Sequence, residues 1–416
     1  MTDEATSGRR SGPLTDLRVV EMGQLIAGPF CGQLMADFGA EVIKIEQPGT
    51  GDPMRQWGRD LPKGISLWWS VIARNKKSVE IDARRAEGQE LLRRLAASAD
   101  ILVENFRPGT MEKWGLGYEE LSRINPRLIM VRVSGYGQTG PYSGKAGYGS
   151  IGEAMGGLRY VVGDPSTPPS RMGISIGDTL AASFACMGAL MALHHRERTG
   201  RGQVVDSAIY EAVLAVMETL VTDYDFSGII RERTGAILPK VAPSNVYPTA
   251  DGVFVLIAAN QDTVFARLAE AMGQPELARD PRFSNHTARG ERLVELDNLI
   301  AQWNATMDAQ TLGALLDQHG VPRGDIYRAP EMLADEHFKA RRAIVEVMHP
   351  VLGQLRMQNV APRLSETPGA VVSTGPALGE HNTEVMCGLL GLDPLEADRL
   401  ADAGIVGRRS AEVARR

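Results

Sequence analysis

The stretch "LRVVEMGQLIAGPFCGQLMADFGAEVIKIE", residues 17–46, decides the fold class. Its first six residues predict a short strand, and "AGPFCGQLMADFG" (27–39) has the spacing of a helix that ends at a glycine. The segment "EVIKIE" (41–46) then alternates like a second strand. A strand, a helix and a strand in this order predict two parallel strands with the helix packed on their face.

The same alternation continues through the first half of the chain. Strands are predicted at 78–82, 101–106 and 128–134, and helices at 86–99 and 118–125. The fold class is therefore α/β, with a Rossmann-like parallel sheet in a large domain. Connections rich in Gly and Pro follow the strand ends, where ligands gather in sheets of this kind.

The pattern changes after two long helices, predicted at 178–198 and at about 206–226. Residues 244–260 read as a strand, a turn at Asp251-Gly252 and a second strand, and further helices follow. A second hairpin is predicted at 345–360. We therefore predict a disordered leader (1–12), a large α/β domain (13–224 and 331–416) and a smaller α+β domain (225–330).

Composition excludes several classes of protein. The chain of 416 residues has a net charge of −6, and its positive residues form no basic stripe, so nucleic-acid binding is not expected. No run of about 18 apolar residues predicts a membrane span. The polar start "MTDEATSGRRSGP" has no apolar signal-peptide core.

The three cysteines, Cys31, Cys186 and Cys387, are far apart along the chain and lie among apolar or small residues. They are interpreted as buried free thiols in a reducing cytoplasm. No Cys/His cluster suggests a metal site, and the adjacent His194 and His195 would point about 100° apart on a helix.

Two familiar motifs fail on their context. "GYGQTG" (135–140) matches G-x-G-x-x-G, but Pro141 and a loop follow where a helix should hold a pyrophosphate. "GQLIAG" (23–28) has P-loop spacing without the Lys and Ser/Thr that should follow it.

The segment "GISIGDTLAASFACMGALMALHHRERTGRG" (173–202) predicts a helix with apolar residues at 180, 184, 187 and 191 on one face. Gly200 is the expected stop. Asp178, at the helix start, has two readings that spacing cannot separate. It is a helix cap, or it is a nucleophile that Gly177 leaves open to a thioester and that nearby N–H groups keep ionised.

Several blocks occur in the order found in class III CoA-transferases, the CaiB–BaiF family, and the chain resembles that family from about Pro13 to its C-terminal helix. They are the stretch 17–58 ending "GDPMRQWG", "NKKSVEID", "ADILVENFRPGTMEKWGLGYEEL", "SGYGQTGPYSGKAGYG", "GISIGDTLAA", "RTGRGQVVDSAIYEA" and "LGEHNTEV".

The resemblance implies CoA transfer by covalent catalysis. Asp178, preceded by Gly177, would attack an acyl-CoA thioester to form a mixed anhydride and then an aspartyl-CoA thioester, and Tyr148 matches an active-site tyrosine. CoA enters as the acyl-CoA substrate, and no permanently bound cofactor and no metal are required. Family members form interlocked, ring-like homodimers, which implies the same here.

The CoA-binding loops of the family map onto strand ends. The matching positions are Gln24, Leu25, Ile26, Ala27, Ile81, Asp82, Ala83, Arg84, Asn105, Phe106, Arg107, Lys113, Ala146 and Gly147.

Cations near these strand ends suit the CoA phosphates. They are Lys76, Lys77, Arg84, Arg107 and Lys113. Arg55 and Arg171 are candidates for the distal carboxylate of the acceptor.

Departures from the family patterns narrow the activity. Ile26 aligns with a glutamine of the formyl-CoA:oxalate branch, Gln47 aligns with its CoA-holding arginine, and "AANQD" (258–262) stands in place of its glycine-rich loop, so oxalate is not the expected acceptor. The branch of succinyl-CoA-dependent transferases acting on citramalate, malate, itaconate or glutarate is the most similar.

Two alternatives to a CoA-transferase stay open. One is a 2-methylacyl-CoA racemase, although its "GHD" loop reads "GYG" (147–149) here and lacks the His of the two-base mechanism. The other is an acyl-CoA-binding protein without catalysis, in which Asp178 is only a cap.

Overall fold

The computed structural model describes residues 11–408, and the chain within it divides into two compact units. Of the predicted leader (1–12), residues 1–10 lie outside the described part, whereas Gly12 packs closely against the backbone of Phe38. The first unit comprises the chain up to Leu158, Met172–Thr219 and the chain from Lys339 onward, and the second comprises Arg159–Arg171 and Leu220–Phe338. The segment 159–171 thus belongs to the second unit, whereas the predicted boundaries had placed it in the large domain.

Six parallel strands form the sheet of the first unit in the order β3-β2-β1-β4-β5-β6. This arrangement confirms the predicted α/β class with a parallel sheet. The strands are β1 (Arg18–Glu21), β2 (Glu41–Glu46), β3 (Lys76–Glu80), β4 (Ile101–Glu104), β5 (Ile129–Ser134) and β6 (Val204–Ala208).

Helices connect these strands and form most of the regular secondary structure of the second unit. The α-helices of residues 11–408 are α1 (Ala27–Asp37), α2 (Leu67–Ile72), α3 (Ala86–Ala97), α4 (Thr110–Lys113), α5 (Tyr118–Ile124), α6 (Gly149–Met155), α7 (Leu158–Val161), α8 (Ile176–Thr199), α9 (Ile209–Leu214), α10 (Leu220–Ser227), α11 (Asp262–Ala271), α12 (His286–Glu291), α13 (Leu293–Asn304), α14 (Ala309–Gln318), α15 (Ala329–Ala334), α16 (Glu336–Ala340) and α17 (Pro394–Asp402). Short 3₁₀ segments lie at Pro53–Gln56, Pro62–Gly64 and Pro275–Ala278, and a π-helical segment lies at Glu384–Leu389.

Strands β1 to β5 of the large sheet are buried on both faces because alternate side chains point into two separate cores. Val19 and Val42 pack with α1 and α8 on one face. Val20 and Ile43 pack with α3 and α17 on the other.

Helix α8 begins at Ile176, two residues before the predicted start, and ends at Thr199. Gly200, with φ of 74°, is its left-handed C-cap. The face that carries the apolar residues at 180, 184, 187 and 191 is not the buried face of α8. Met187 and Met191 are exposed, and most of the buried residues are small, among them Ala181 and Ala185. Alanine lets the helix lie close to the valines of the sheet. By length and composition α8 could cross a membrane, yet this alanine face packs inside the core.

The single long helix predicted at about 206–226 is wrong in part. Residues 204–208 form β6, which pairs in parallel with β5 from Met130–Val204 to Ser134–Ala208. The helices α9 and α10 follow only afterwards. Pairing with a strand some 70 residues earlier overrides the local helical pattern.

The second unit holds a three-stranded antiparallel sheet in the order β7 (Ser244–Pro248), β8 (Phe254–Ala258) and β9 (Arg323–Asp325). The β7–β8 hairpin confirms the prediction for 244–260, and β9 was not predicted. Its own core is built from β7, β8 and helices α11, α13 and α14.

Two further features complete the first unit. The predicted second hairpin is present as β10 (Ile344–His349) and β11 (Gly353–Gln358). The "LGEHNTEV" block runs beside the outer strand β3: the His381 N–H donates to the Ser78 carbonyl at 3.0 Å, and the Asn382 side chain accepts the Glu80 N–H at 2.9 Å.

Candidate active site

Asp178 is the third residue of α8 and is half-buried. A Cβ placed on Gly149, the first residue of α6, would lie 2.2 Å from Oδ2 of Asp178. The carboxylate therefore rests directly on the Gly149 backbone, in space that only a glycine leaves open.

The position of Asp178 differs from that of an N-cap, because Ser175 holds that position. Within the first turn of a helix of 24 residues, the carboxylate lies in the positive end of the helix dipole, which favours its ionised form.

Asp178 lies at the carboxyl edge of the large sheet. A Cβ on the preceding Gly177 would lie 3.2 Å from Cγ2 of Ile209, the residue that directly follows β6. The carboxyl edge is where open α/β sheets bind ligands.

Glu153 is a residue of this region that sequence reasoning missed. Its side chain is buried, and its Oε1 accepts the N–H of Gly177 at 3.3 Å. Glu153 and Gly149 are four residues apart on α6 and so lie on one face of that helix. A Glu four residues after a glycine gives no sequence signal for such a role.

The loop before α6 carries three residues that were predicted from the family. Tyr148 takes the N-cap position of α6 and is 67% exposed. Ala146 is exposed, and Gly147 lies so close to Gly135 that a Cβ on Gly135 would be 2.9 Å from the Gly147 Cα.

A cavity of about 300 Å³ opens at the carboxyl ends of β1 to β4; we call it the strand-end cavity. Five residues predicted to bind CoA line it: Gln24, Ile81, Ala83, Arg84 and Phe106. The cavity and Asp178 thus lie on the same edge of one sheet. Its remaining lining residues are Met22, Ile45, Glu46, Gln47, Thr50, Gly51, Pro53 and Trp114.

Asn105 fixes the loop that contributes Gln24 to the strand-end cavity. Its Oδ1 accepts the Gln24 N–H at 2.7 Å, and its Nδ2 donates to the Gln24 carbonyl at 2.9 Å. Asn105 therefore holds the backbone of Gln24 rather than reaching outward. Next to it, Phe106 packs edge-on against Trp114, with 5.1 Å between the ring centroids.

Buried charged side chains hold the loop that contains Gln24 and Leu25. Leu25 has a left-handed backbone, with φ of 62°, and its N–H donates to Asp52 at 3.1 Å. Asp52 pairs with Lys44 at 2.8 Å, and Lys44 also donates to the Gly23 carbonyl. Ile26 and Ala27 follow at the start of α1, with Ala27 buried.

These ion pairs shift the pKa values of their members. Burial disfavours the charge on Lys44, but the carboxylates of Asp52 and Glu21 outweigh burial and raise the pKa of Lys44 above its usual value. Burial likewise opposes the charge on Asp52, yet the Lys44 ammonium keeps the pKa of Asp52 below its usual value. The loop thus rests on groups that stay charged at neutral pH.

Three of the predicted phosphate-binding cations are exposed near the strand-end cavity. Arg107 and Lys113 lie in and after the β4 loop. Arg84 is 64% exposed and pairs with Asp82 at 2.8 Å. The Arg84 side chain lowers the pKa of Asp82, so this pair is ionised at neutral pH.

The other two predicted cations are placed elsewhere, and that part of the prediction is wrong. Lys76 is fully buried and pairs with Glu21 at 2.7 Å. Lys77 pairs with Glu41 and Glu384. Both open β3, at the amino end of the strand and away from the cavity.

The two arginines considered for the acceptor differ in their surroundings. Arg55 is bound to Glu46 through two nitrogens at 2.7 Å, donates to the Pro376 carbonyl and lies over the Trp69 ring at 3.8 Å. These contacts engage all three guanidinium nitrogens and make Arg55 a structural residue. Arg171 is exposed and lies in the second unit.

Two of the cysteines, distant in sequence, meet in the core between α1 and α8. The thiols of Cys31 and Cys186 hydrogen-bond to each other, and both are free. This bond and burial raise the pKa of Cys31 well above its usual value, so the Cys31 thiol is not set up as a nucleophile. Within residues 11–408 no group of three Cys, His, Asp or Glu side chains has the arrangement of a metal site.

Comparisons with known proteins show the family to which the chain belongs. Residues 14–382 match the family model described as CoA-transferase family III. The succinyl-CoA–D-citramalate CoA-transferase of Chloroflexus aurantiacus is 63% identical over 387 residues, covering 93% of this chain and 96% of the relative. The beta subunit of succinyl-CoA–L-malate CoA-transferase from that organism is 41% identical, covering 91% and 95%.

A solved structure shows the same fold. The crystal structure of a CAIB/BAIF family protein from Brucella suis superposes with a TM-score of 0.82 at 34% identity, covering 91% of this chain and 100% of the other.

Proposed function

Because the chain belongs to CoA-transferase family III, we propose that it moves CoA from succinyl-CoA to a dicarboxylic acid by way of Asp178. That it is an enzyme of the CoA-transferase type follows from the family and from the named relatives. The carboxylate of Asp178, seated on Gly149 at the carboxyl edge of the sheet, is the observation that carries the residue assignment.

The proposed reaction proceeds through the Asp178 carboxylate. One oxygen attacks the acyl carbon of the donor thioester, the C–S bond breaks, and CoA thiolate leaves an acyl-aspartyl anhydride. The thiolate attacks the aspartyl carbonyl and expels the donor as a free carboxylate, which gives an aspartyl-CoA thioester. The acceptor carboxylate attacks this thioester and displaces the thiolate, and the thiolate takes the acceptor acyl group and frees Asp178.

This sequence needs no external energy source, because one thioester replaces another. The helix dipole at the first turn of α8 favours the ionised Asp178 that must begin each cycle. Tyr148, exposed at the start of α6, is proposed to contact the substrate beside it.

The strand-end cavity is proposed as part of the CoA site. Gln24, Ile81, Ala83 and Phe106 line it, and exposed cations at its border suit the phosphates of CoA. The cations are Arg84, Arg107 and Lys113. Leu25 to Ala27, Asp82, Asn105, Ala146 and Gly147 are proposed to shape the same loops.

The substrate choice rests on the relative that is 63% identical, which is named for succinyl-CoA and D-citramalate. Citramalate is therefore the first acceptor to test, followed by malate, itaconate and glutarate. Arg171 is proposed to bind the distal carboxylate of the acceptor, and Arg55 is left out because Glu46 already pairs with its guanidinium.

We also expect a homodimer in the cytoplasm, of the interlocked form that the family resemblance implies. The exposed apolar side chains Met187, Leu190 and Met191 on α8 support coverage by a second copy. Light scattering coupled to size exclusion tests the mass, and neither a nucleic-acid nor a membrane partner is proposed.

The decisive experiment is trapping of the intermediate. The enzyme is mixed with succinyl-CoA and quenched with borohydride or hydroxylamine, and the modified residue is located by peptide mass spectrometry. A modification at Asp178 supports the proposal, and its absence contradicts it. Asp178→Asn should form no adduct and lose transfer, whereas Asp402→Asn, which changes an exposed carboxylate, should behave like the wild type.

A second measurement separates transfer from racemisation. Incubation with an acyl-CoA in deuterated water without acceptor should leave the α-carbon unlabelled. Exchange at that carbon would favour a racemase, and a panel of acceptors read by mass spectrometry identifies the transfer products.

A further inference from the structure

We propose that Glu153 is a positioning residue for Asp178, acting through the backbone of Gly177. The inference rests on the proposed role of Asp178 as nucleophile. It adds a residue that neither the family resemblance nor the sequence pattern had assigned.

The first step is the placement of Glu153. Gly149 and Glu153 lie one turn apart on α6 and face the first turn of α8 together. Gly149 supports the Asp178 carboxylate, and Glu153 meets the residue before it. A Cβ on Gly177 would lie 3.0 Å from Cγ of Glu153, so the Glu153 side chain packs closely beside Gly177.

The second step is the hydrogen bond. The first N–H groups of an α-helix have no partner inside the helix, and Ser175 at the N-cap position provides no side-chain bond to them. Glu153 accepts one of these groups, the N–H of Gly177, at 3.3 Å. An acceptor from another helix thus fixes the backbone next to Asp178.

The hydrogen bond matters to the reaction because it fixes the backbone beside the proposed nucleophile. Gly177 has no side chain of its own to restrict its backbone, so an unanchored first turn would let Asp178 shift relative to the thioester. A displacement of about 1 Å at a reacting group can cost roughly 100-fold in rate. Glu153 is only 1% exposed, which keeps water from taking its place as acceptor.

Three variants separate the hydrogen bond from charge and packing. Glu153→Gln keeps an oxygen at the same reach but removes the charge, and it should stay within about 3-fold of wild-type kcat. Glu153→Asp keeps the charge but withdraws the oxygen by one methylene, and Glu153→Met removes the acceptor. We expect both to lower kcat about 10- to 100-fold, with the KM for succinyl-CoA changed less than about 2-fold.

The readout is the rate at which the Asp178 adduct forms in a single turnover, together with kcat, KM and the melting temperature. Slow adduct formation in the Asp and Met variants, with recovery in the Gln variant, supports the inference. Equal rates in all variants, or a Gln variant as slow as the Met variant, overturn it. If Glu153→Met does not fold, Glu153→Asp against Glu153→Gln decides alone.

The same experiment distinguishes a failure of the proposed function from a failure of the proposed role of Glu153. A wild-type enzyme that forms no adduct at Asp178 overturns the proposed function and the inference together. A wild-type adduct with unchanged rates in the Glu153 variants overturns the inference only.

Discussion

The carboxylate of Asp178 lies against the backbone of Gly149, with Oδ2 only 2.2 Å from where a Cβ on residue 149 would be. No side chain heavier than hydrogen can share that space without displacing one of the two helices. The start of α6 is therefore shaped around the first turn of α8, and the two are expected to respond to mutation as a unit.

Gly149→Ala tests this relationship. The added methyl group should displace Asp178 and lower kcat by about 100-fold, with a loss of about 1–3 kcal/mol in unfolding free energy from overpacking. Steady-state kinetics and urea unfolding measure the two effects. Gly144→Ala is the matched control, because a Cβ there meets no atom within 4 Å; a comparable loss of activity in both variants would contradict the explanation.

Asn105→Ala tests the loop that carries Gln24. Two hydrogen bonds of about 1 kcal/mol each are lost, so the KM for acyl-CoA should rise about 10-fold or more while kcat changes less. Asn105→Asp keeps the acceptor for the Gln24 N–H but loses the donor to its carbonyl, and it should give an intermediate KM. Unchanged KM values would show that the loop keeps its shape without Asn105.

Stability should fall in acid partly because of Glu41. Burial alone would raise the pKa of Glu41, but Lys77 and Arg18 outweigh it and lower the pKa to about 2. A pKa lowered by folding contributes stability above the unfolded value of about 4.3, and this contribution is lost as the pH falls toward 2. We expect about 1–2 kcal/mol after allowance for solvent screening.

Urea unfolding at several pH values between 5 and 2 measures that contribution. Glu41→Gln should be less stable than the wild type at pH 6 and should flatten the acid slope. Glu119→Gln, on an exposed helix surface, should leave the slope as it is. Parallel slopes in the wild type and Glu41→Gln would assign the acid sensitivity to other carboxylates.

Substitutions of the two arginines considered for the acceptor carboxylate should have different effects. Arg55→Met breaks a largely buried pair with Glu46 and should cost about 3–5 kcal/mol in unfolding free energy. Arg171→Met should keep its stability and raise the KM for the dicarboxylate about 10- to 100-fold, as expected for a lost charge-assisted hydrogen bond. A rise in acceptor KM only in Arg55→Met would reverse the assignment.

Much of the large sheet could be predicted because its elements are marked locally. Residues 41–46 alternate and begin two residues after Gly39, and the predicted strand has the observed bounds. β6 could not be predicted in this way, since residues 204–208 run into α9 without a breaker and become a strand only by pairing with β5.

The candidate site likewise contains residues that could be predicted from the sequence and residues that could not. The family resemblance identified Gln24, Ile81 and Phe106, which the structure brings to one cavity. Local sequence could not show that Lys76 is buried against Glu21, because a lysine beside another lysine looks like a surface charge. Nor could it show the contact of Glu153 with Gly177, which joins residues 24 positions apart.

The segment beside β3 has a consequence for solubility. β3 is the last strand on its side of the sheet, and an uncovered edge strand is a template on which another chain can add a strand. His381 and Asn382 form hydrogen bonds along that edge. The C-terminal part of the chain therefore covers β3 and hinders edge-to-edge aggregation.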